Sequence, residues 1–190
     1  MKPIQLDNLK SPVKWLVYVL FFGVAMSSPV GAQRLIREII RYVSNKQSHL
    51  KIPFKTTQLS QAIYYLKKRK LIRIYNKNGK TSIVLTEKGE KKKLEYDLEL
   101  ISIPKQKIWD EKWRIVMFDI PEKNKSQREY FRDKLKEIGF LQFQESVWIY
   151  PYPCKDEINF ISESLYISPY INLLTASIED DGPLRGAFSV

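Results

Sequence analysis

An apolar segment near the N-terminus, Trp15 to Met26, constrains the fold of this chain more than any other feature. It holds twelve residues without a charge and is followed by a Ser-Ser-Pro sequence typical of a turn. Crossing a bilayer takes about 20 apolar residues, so the segment is short for a membrane span. Two amphipathic helices follow it, and they need a further apolar helix to close a core. We therefore expect residues 14 to 26 to form a buried helix.

Two alternatives for this region stay open. The uncharged stretch extends to Gln33, and Val30-Gly31-Ala32 resembles a signal-peptidase site behind a weakly basic N-terminus. Residues 14–33 are therefore also a candidate signal or anchor, and a membrane partner is expected only if residues 15–33 are an anchor. A secreted product beginning at Gln33 would, however, start inside the domain predicted below.

The charge of the chain is concentrated in its first half. The formal net charge is +11, and residues 1–100 hold 20 basic and 7 acidic side chains. Between Glu38 and Glu87 there are eleven basic residues and no acidic one. Solvated surfaces usually mix both signs, so this run predicts a polyanionic partner, first nucleic acid and second an anionic membrane surface.

The chain has too few cysteines and histidines for an internal disulfide or for a zinc site. The chain has one cysteine, Cys154, and one histidine, His49. An internal disulfide and a His/Cys zinc site are both excluded by these counts. A reducing, cytoplasmic setting is therefore expected.

The periodicity of the first half predicts a winged helix-turn-helix over residues 1–100. Residues 31–43 have apolar positions at helical spacing, and residues 56–70 form a second such helix with Leu59, Ile63 and Leu66 on its apolar side. Thr56 or Thr57 is the expected N-cap of that second helix. Residues 71–85 read as a β-hairpin around an Asn-Gly turn, and Thr86 is the expected cap of the helix that follows.

A capped helix can enter the major groove of DNA while the tip of the hairpin contacts the flanking backbone. The predicted DNA-binding residues on the helix and then on the wing are Thr57, Gln58, Gln61, Tyr64, Lys67, Lys68, Arg69, Lys77 and Lys80. Among them Gln58, Gln61 and Tyr64 are expected to discriminate bases.

The second half predicts a ferredoxin-like domain. Residues 113–119 form a strand and residues 125–140 a helix closed by Gly139. Residues 141–150 form one bent strand or two strands, residues 156–167 a helix and residues 170–179 a strand. The predicted apolar side of the first helix is Tyr130, Phe131, Leu135 and Ile138. This β-α-β-β-α-β order predicts an α+β chain with a linker at 101–112 and a ferredoxin-like domain at 113–190, for which the resemblance described next implies a role in dimerisation.

Three stretches of this half carry a resemblance to a known family. WRIVMFDIPE, KEIGF and QESVWIYPYPC resemble the central domain of the PaaX-like transcriptional repressors, which itself resembles CRISPR-associated protein two, the adaptation endonuclease. TEKG after the hairpin fits the layout of the repressor family. The resemblance implies a homodimeric transcriptional regulator, most simply a repressor, that binds double-stranded DNA and needs no cofactor.

The resemblance to the endonuclease implies an alternative function at Asp119. In that family the acid at the end of the first strand is the proposed metal ligand, and Asp119 occupies the matching position. With its mate across a dimer axis, it would hold magnesium for a metal-dependent endonuclease acting on DNA or RNA. In the other interpretation Asp119 caps the turn before Pro121, and no residue of the chain is catalytic.

Three tryptophans of the second half, Trp109, Trp113 and Trp148, fit either a stacking platform for bases or a core or dimer interface. We expect the second. Ser146 and Cys154 are expected to have structural roles.

Overall fold

The computed structural model describes residues 9–21, 26–28, 54–77 and 80–190 of the chain. These residues form six α-helices and two antiparallel sheets, so the predicted α+β class is confirmed. The chain divides into two compact units, an N-terminal unit that ends at Glu99 and a C-terminal unit from Leu100 to Val190.

The described part of the N-terminal unit consists of three helices and a three-stranded antiparallel sheet of order β1-β3-β2. The elements are α1 (Pro12–Phe21), β1 (Met26–Ser28), α2 (Thr56–Lys68), β2 (Ile72–Lys77), β3 (Lys80–Leu85) and α3 (Glu87–Leu100). Lys77 pairs with Lys80 in the β2–β3 ladder, which leaves a two-residue connection. The predicted hairpin is therefore confirmed, although Asn78 and Gly79 lie outside the described residues, as does the helix predicted at 31–43.

Helix α1 supplies much of the core of this unit. Its residues Trp15 to Leu20 are all buried, and the helix packs against α2 and β3. The predicted stripe of α2, Leu59, Ile63 and Leu66, is buried in the same core. The first part of the apolar segment is thus the expected buried helix. In the part of the chain that the structure describes, no helix has the length and hydrophobicity needed to cross a membrane.

A buried polar network ties α1 to α3. The Tyr18 hydroxyl donates to Asp97 Oδ1 at 2.7 Å, and Lys93 Nζ lies 2.7 Å from Asp97 Oδ2. Burial, with the hydrogen bond to Asp97, raises the pKa of Tyr18 well above its ordinary value. The Asp97 carboxylate is buried but satisfied by two donors, which is the condition for a charge to be stable in a core.

Two sequence predictions for this unit were wrong. Met26–Ser28 is not the end of a helix and the start of a turn but a strand, because its main chain pairs antiparallel with the free edge of β3. Helix α2 begins at Thr56 with Lys55 in the cap position, so neither Thr56 nor Thr57 is its N-cap. The Lys55 N–H instead donates to Gln58 Oε1 at 2.8 Å.

The C-terminal unit is built on a four-stranded antiparallel sheet of order β5-β6-β4-β7. Its elements are β4 (Trp113–Phe118), a 3-10 turn (Glu122–Asn124), α4 (Lys125–Glu137), β5 (Leu141–Gln144), β6 (Val147–Tyr150), α5 (Lys155–Ser164), a second 3-10 turn (Ser168–Tyr170), β7 (Ile171–Ala176) and α6 (Gly182–Phe188). Residues 141–150 therefore form two strands. The sequence did not predict α6.

The two faces of this sheet bury different side chains. Phe118 packs edge-to-face on Phe131 of α4, with ring centroids 5.4 Å apart. On the other face, Trp113 and Ile149 form a core with Leu184 of α6. Residues that alternate along a strand point to opposite faces, so β4 contributes to both cores.

The predicted closure of α4 by Gly139 is confirmed, but the predicted place of Tyr130 on the buried side of the helix is wrong. Gly139 has φ +98° and continues the chain in a conformation that favours glycine. Tyr130 is 42% exposed, so the buried side of α4 is narrower than predicted and consists of Phe131, Leu135 and Ile138. Tyr130 is adjacent to Phe131, and a helix rotates by about 100° per residue, which turns its ring away from the sheet.

Candidate nucleic-acid interface

The solvent side of α2 carries a straight row of four side chains, here called the outer row. Thr57, Gln61, Tyr64 and Lys68 are spaced i, i+4, i+7 and i+11, which keeps them on one face of a helix. All four are exposed, and Tyr64 is 67% exposed. The row lies opposite the buried stripe and extends about 16 Å along the helix axis. Four of the predicted DNA-binding residues therefore share one surface.

A second row of side chains on α2, formed by Gln58, Tyr65 and Arg69, makes contacts with other residues of the helix and its cap. Gln58 uses its carbonyl oxygen to accept the Lys55 N–H, and the Arg69 guanidinium lies 5.7 Å from the centre of the Tyr65 ring. Gln58 and Arg69 are exposed at the ends of this row. Gln58 thus differs from Gln61 because part of its hydrogen-bonding capacity is already in use.

Basic residues gather where α2 ends. The cation cluster consists of Lys67, Lys68, Arg69, Lys70 and Arg73. All five are exposed, and none forms an ion pair with a carboxylate among the described residues. Cations near a helix C-terminus also interact favourably with the helix dipole, but Arg73 lies beyond the helix, in β2.

The lysines of α1 and α3 provide the contrast. Four of them pair with carboxylates of α3, in the pairs Lys14–Glu99, Lys91–Glu87, Lys92–Glu95 and Lys93–Asp97. The charge of these four lysines is therefore compensated within the protein. The cation cluster gathers five exposed basic side chains without such compensation among the described residues, and it favours an anionic partner.

The chain leaves α2 through a tight C-terminal turn. Lys70 has φ +58°, the Leu71 N–H donates to Leu66 O at 2.9 Å, and the Lys70 N–H donates to Lys67 O at 3.0 Å. These two bonds form a Schellman motif, here with lysine at the position that usually holds glycine. The motif ends the helix and leads the chain directly into β2, on which Arg73 lies.

Thr86 fastens the end of α2 to the start of α3, as the TEKG sequence allows. Its hydroxyl donates to Lys70 O at 2.7 Å, its N–H donates to Leu71 O at 3.0 Å, and the Gly89 N–H donates to the hydroxyl oxygen at 3.1 Å. The predicted capping role of Thr86 is confirmed. A Cβ at Gly89 would lie 2.1 Å from Leu71 O, so only glycine permits this approach. We call this arrangement the Thr86 clasp.

The hairpin also has a polar outer face. Arg73 and Tyr75 are exposed on β2, whereas Ile72 and Ile74 contribute to the core. The ladder places Lys77 directly opposite Lys80 at the end of the hairpin. The two predicted wing residues are thus neighbours in register, separated from α2 in sequence but joined to it through β2.

Three exposed residues, Lys70, Arg73 and Tyr75, were not among the predicted DNA-binding residues. Lys70 and Arg73 belong to the acid-free run between Glu38 and Glu87, so the signal was present. Alternation along β2 could have placed Arg73 and Tyr75 on the outer face. The turn that brings Lys70 to the surface had no such signal, because lysine rarely adopts a positive φ.

Asp119 is exposed at the end of β4, and its N–H donates to Tyr170 O at 3.1 Å. The turn that follows is held by Arg128, which donates to Ile120 O at 3.0 Å and pairs with Glu122 at 2.8 Å. That pair with Arg128 lowers the pKa of Glu122. Among the described residues no group of three or more His, Cys, Asp or Glu side chains is arranged to hold a metal ion. Magnesium at Asp119 stays a prediction that depends on a second subunit.

The three tryptophans do not form a stacking platform. Trp113 and Trp148 are buried, and Trp109 packs on Trp113 with ring centroids 4.8 Å apart. Trp113 Nε1 donates to Asp181 Oδ2 at 3.0 Å. The predicted core role is therefore confirmed. Cys154 is likewise buried, and its burial raises the pKa of the thiol to about 12.

Comparison with known proteins identifies part of the chain. Residues 106–186 match the family model of the PaaX protein central Cas2-like domain, which confirms the predicted resemblance to the PaaX-like family. No curated protein matches the chain. Among solved structures it is similar to the uncharacterized protein Rv0674 from Mycobacterium tuberculosis, with a TM-score of 0.40 and 15% sequence identity over 93% of this chain and 66% of that one. The chain thus spans slightly less than two thirds of that protein's length.

Proposed function

Because residues 106–186 carry the central Cas2-like domain of PaaX proteins, we propose that the chain is a DNA-binding transcriptional regulator of the PaaX-like type, acting as a repressor in the cytoplasm. The N-terminal unit binds duplex DNA, and the C-terminal unit joins two copies of the chain. The cation cluster is the observation that carries this proposal, because its uncompensated charge fits the phosphates of a nucleic acid.

In this proposal residues 1–100 form a winged helix-turn-helix. Helix α2 is the recognition helix, and the β2–β3 hairpin is the wing that contacts the adjacent backbone. The outer row of α2 contacts base edges, and the cation cluster contacts phosphates. The Thr86 clasp supports this arrangement, since it fixes α2 relative to α3 and to the base of the hairpin.

The C-terminal domain, residues 113–190 after a linker at 101–112, is proposed to be a ferredoxin-like dimerisation domain. Its strand order β5-β6-β4-β7 is the order 2-3-1-4 of that fold, with all neighbours antiparallel. The ladder register places Met117, Leu141 and Leu174 on one face of the sheet, with Phe143 next to Leu141's face at the irregularity of β5. The four side chains are each between 37% and 53% exposed. A second copy of the chain would bury these apolar side chains.

Dimerisation is tested on the purified chain by light scattering. Phe143→Glu places a charge on the apolar sheet face and is expected to shift the mass from dimer to monomer. Gln142→Glu is the matched control on the other face of β5 and leaves the mass unchanged. A wild-type monomer at all concentrations would contradict the proposed dimer.

DNA binding is tested by incubating the chain with end-labelled duplex DNA and magnesium, and by running each sample on native and denaturing gels. The proposal expects a retarded band whose DNA is intact. The wing is tested with Lys77→Ala and Lys80→Ala together, which should weaken binding to all sequences and lower the salt slope by up to about 2. An unchanged slope would remove the wing from the interface.

A second function, a magnesium-dependent endonuclease acting on DNA or RNA, is favoured by the exposure of Asp119 within a Cas2-like domain. It predicts shortened nucleic acid on the denaturing gel. Cutting should then disappear on chelation of the metal and in Asp119→Ala, while retardation on the native gel persists. Intact DNA and RNA under all these conditions would exclude this second function.

A further inference from the structure

We infer that Gln61, and not Gln58, is the glutamine with which α2 reads a base, and that the base is adenine. The inference rests on the proposed function, because it assumes that α2 meets duplex DNA. It assigns different roles to two glutamines that are three positions apart on one helix.

The two glutamines differ first in direction. Gln61 lies in the outer row, opposite the buried stripe of Leu59, Ile63 and Leu66. Gln58 lies about 90° from the centre of that row, since successive residues of a helix rotate by about 100°. A helix that inserts into a groove presents the side opposite its core to the base edges, so Gln61 is at the centre of the contact and Gln58 at its flank.

The two glutamines differ second in the hydrogen bonds that their side chains make within the protein. Reading adenine takes both ends of the glutamine amide, because the oxygen accepts from adenine N6–H and the nitrogen donates to N7. Gln58 Oε1 accepts the Lys55 N–H at 2.8 Å, and releasing it would leave the first turn of α2 with an unpaired donor. The amide of Gln61 makes no hydrogen bond with any of the described residues, and its side chain is exposed.

The neighbours of Gln61 suit the same kind of base pair. Thr57 and Tyr64 present a methyl group and an aromatic ring on either side of it, and apolar groups contact the thymine methyl. Lys68, which suits guanine or phosphate, lies at the end of the row and also belongs to the cation cluster. The centre of the row therefore fits an A·T pair, and Gln58 acts as a positioning residue.

The experiment is selection from a randomised duplex pool with the full chain, followed by sequencing of the bound DNA. Wild type is compared with Gln61→Ala, Gln61→Arg and the matched control Gln58→Ala. Affinities for the selected duplex and for single-base variants of it are then measured by fluorescence anisotropy at one salt concentration. Circular dichroism checks that each variant keeps the wild-type helix content.

The expected result is a position where wild type prefers adenine by about 5- to 100-fold and where Gln61→Ala loses that preference. Gln61→Arg should prefer guanine at the same position, because arginine pairs with guanine O6 and N7. Gln58→Ala should weaken binding to all duplexes alike and keep the adenine preference.

The inference is overturned if Gln58→Ala erases a base preference, or if neither Gln61 variant changes one. Equal binding of wild type to all duplexes would also overturn it, while leaving the proposed function in place. A chain that binds no duplex at any salt concentration would contradict both, so the two failures are distinguishable.

Discussion

Gly89→Ala offers the sharpest test of the Thr86 clasp, because the expected sign is opposite to the usual one. In an exposed helix interior, replacing glycine by alanine stabilises a protein by about 1 kcal/mol. At Gly89 the new Cβ would lie 2.1 Å from Leu71 O, and real Cβ atoms essentially never approach a heavy atom within 3.0 Å. The first turn of α3 and the end of α2 must therefore separate by the difference, about 0.9 Å.

That separation disrupts the hydrogen bonds of the clasp. Thr86 donates to Leu71 O at 3.0 Å and to Lys70 O at 2.7 Å, and the Gly89 N–H donates to Thr86 at 3.1 Å. At about 1 kcal/mol each, their loss costs about 3 kcal/mol. The helix propensity of alanine returns about 1 kcal/mol, so the net destabilisation is about 2 kcal/mol.

The assay is thermal unfolding followed by circular dichroism, with Gly186→Ala as the control. A Cβ at Gly186, within α6, meets nothing within 4 Å, so this change should be neutral or stabilising by up to about 1 kcal/mol. The expected result is a midpoint lower by about 4–8 °C for Gly89→Ala and unchanged or higher for Gly186→Ala. A Gly89→Ala protein as stable as wild type would refute the close approach of Leu71 to α3.

Three further predictions concern groups that the structure shows to be constrained. Tyr18→Phe should destabilise the chain by about 1–3 kcal/mol in urea unfolding, because Asp97 Oδ1 loses its donor while Lys93 still holds the other oxygen; unchanged stability would contradict the buried network. Gly139→Ala should cost about 1–2 kcal/mol, since φ is +98° there; a neutral result would exclude that conformation. The Cys154 thiol, with a pKa of about 12, should react with a disulfide reagent about a thousandfold more slowly at pH 8 than an exposed thiol. Burial raises this pKa above its ordinary value of 9.0, so the stability gained by keeping the thiol protonated in the folded chain is complete below pH 9 and is lost as the pH rises towards 12. Rapid reaction of the folded chain at pH 8 would contradict the burial of Cys154.

Much of the fold could be read from the sequence where a local signal agreed with the tertiary structure. The Asn-Gly turn between β-branched runs predicted the hairpin, and Thr86 followed by Gly89 marked the start of α3. Helix α6 gave no such signal, because Gly182 and Gly186 lower helix propensity and the helix is held by burial of Leu184 on the sheet. Its formation depends on a face of the sheet that exists only after folding.

The candidate site was predicted in composition but not in geometry. The acid-free run indicated a basic surface, and Glu–Lys spacings in α3 could have separated the paired lysines from the unpaired cluster. Gln58 at the third position after Lys55 fits a capping pattern, but the sequence also fits a base-reading role for it once Thr56 or Thr57 is taken as the cap. To decide whether Gln58 caps the helix or contacts a base, the first residue of the helix must be known to within one position, and sequence patterns do not give that precision.

The central claim, that uncompensated charge at the end of α2 binds DNA phosphates, is tested most directly by the salt dependence of affinity. Wild type is compared with the triple variant Lys67→Gln, Lys68→Gln and Arg69→Gln on one duplex. The control replaces Lys91 and Lys92, which are paired within α3, by glutamine. The account predicts that the slope of log affinity against log salt falls by about 0.9 for each phosphate that the triple variant no longer neutralises, and that it stays at the wild-type value in the control. Equal slopes for all three proteins, or a lower slope in the control alone, would contradict it.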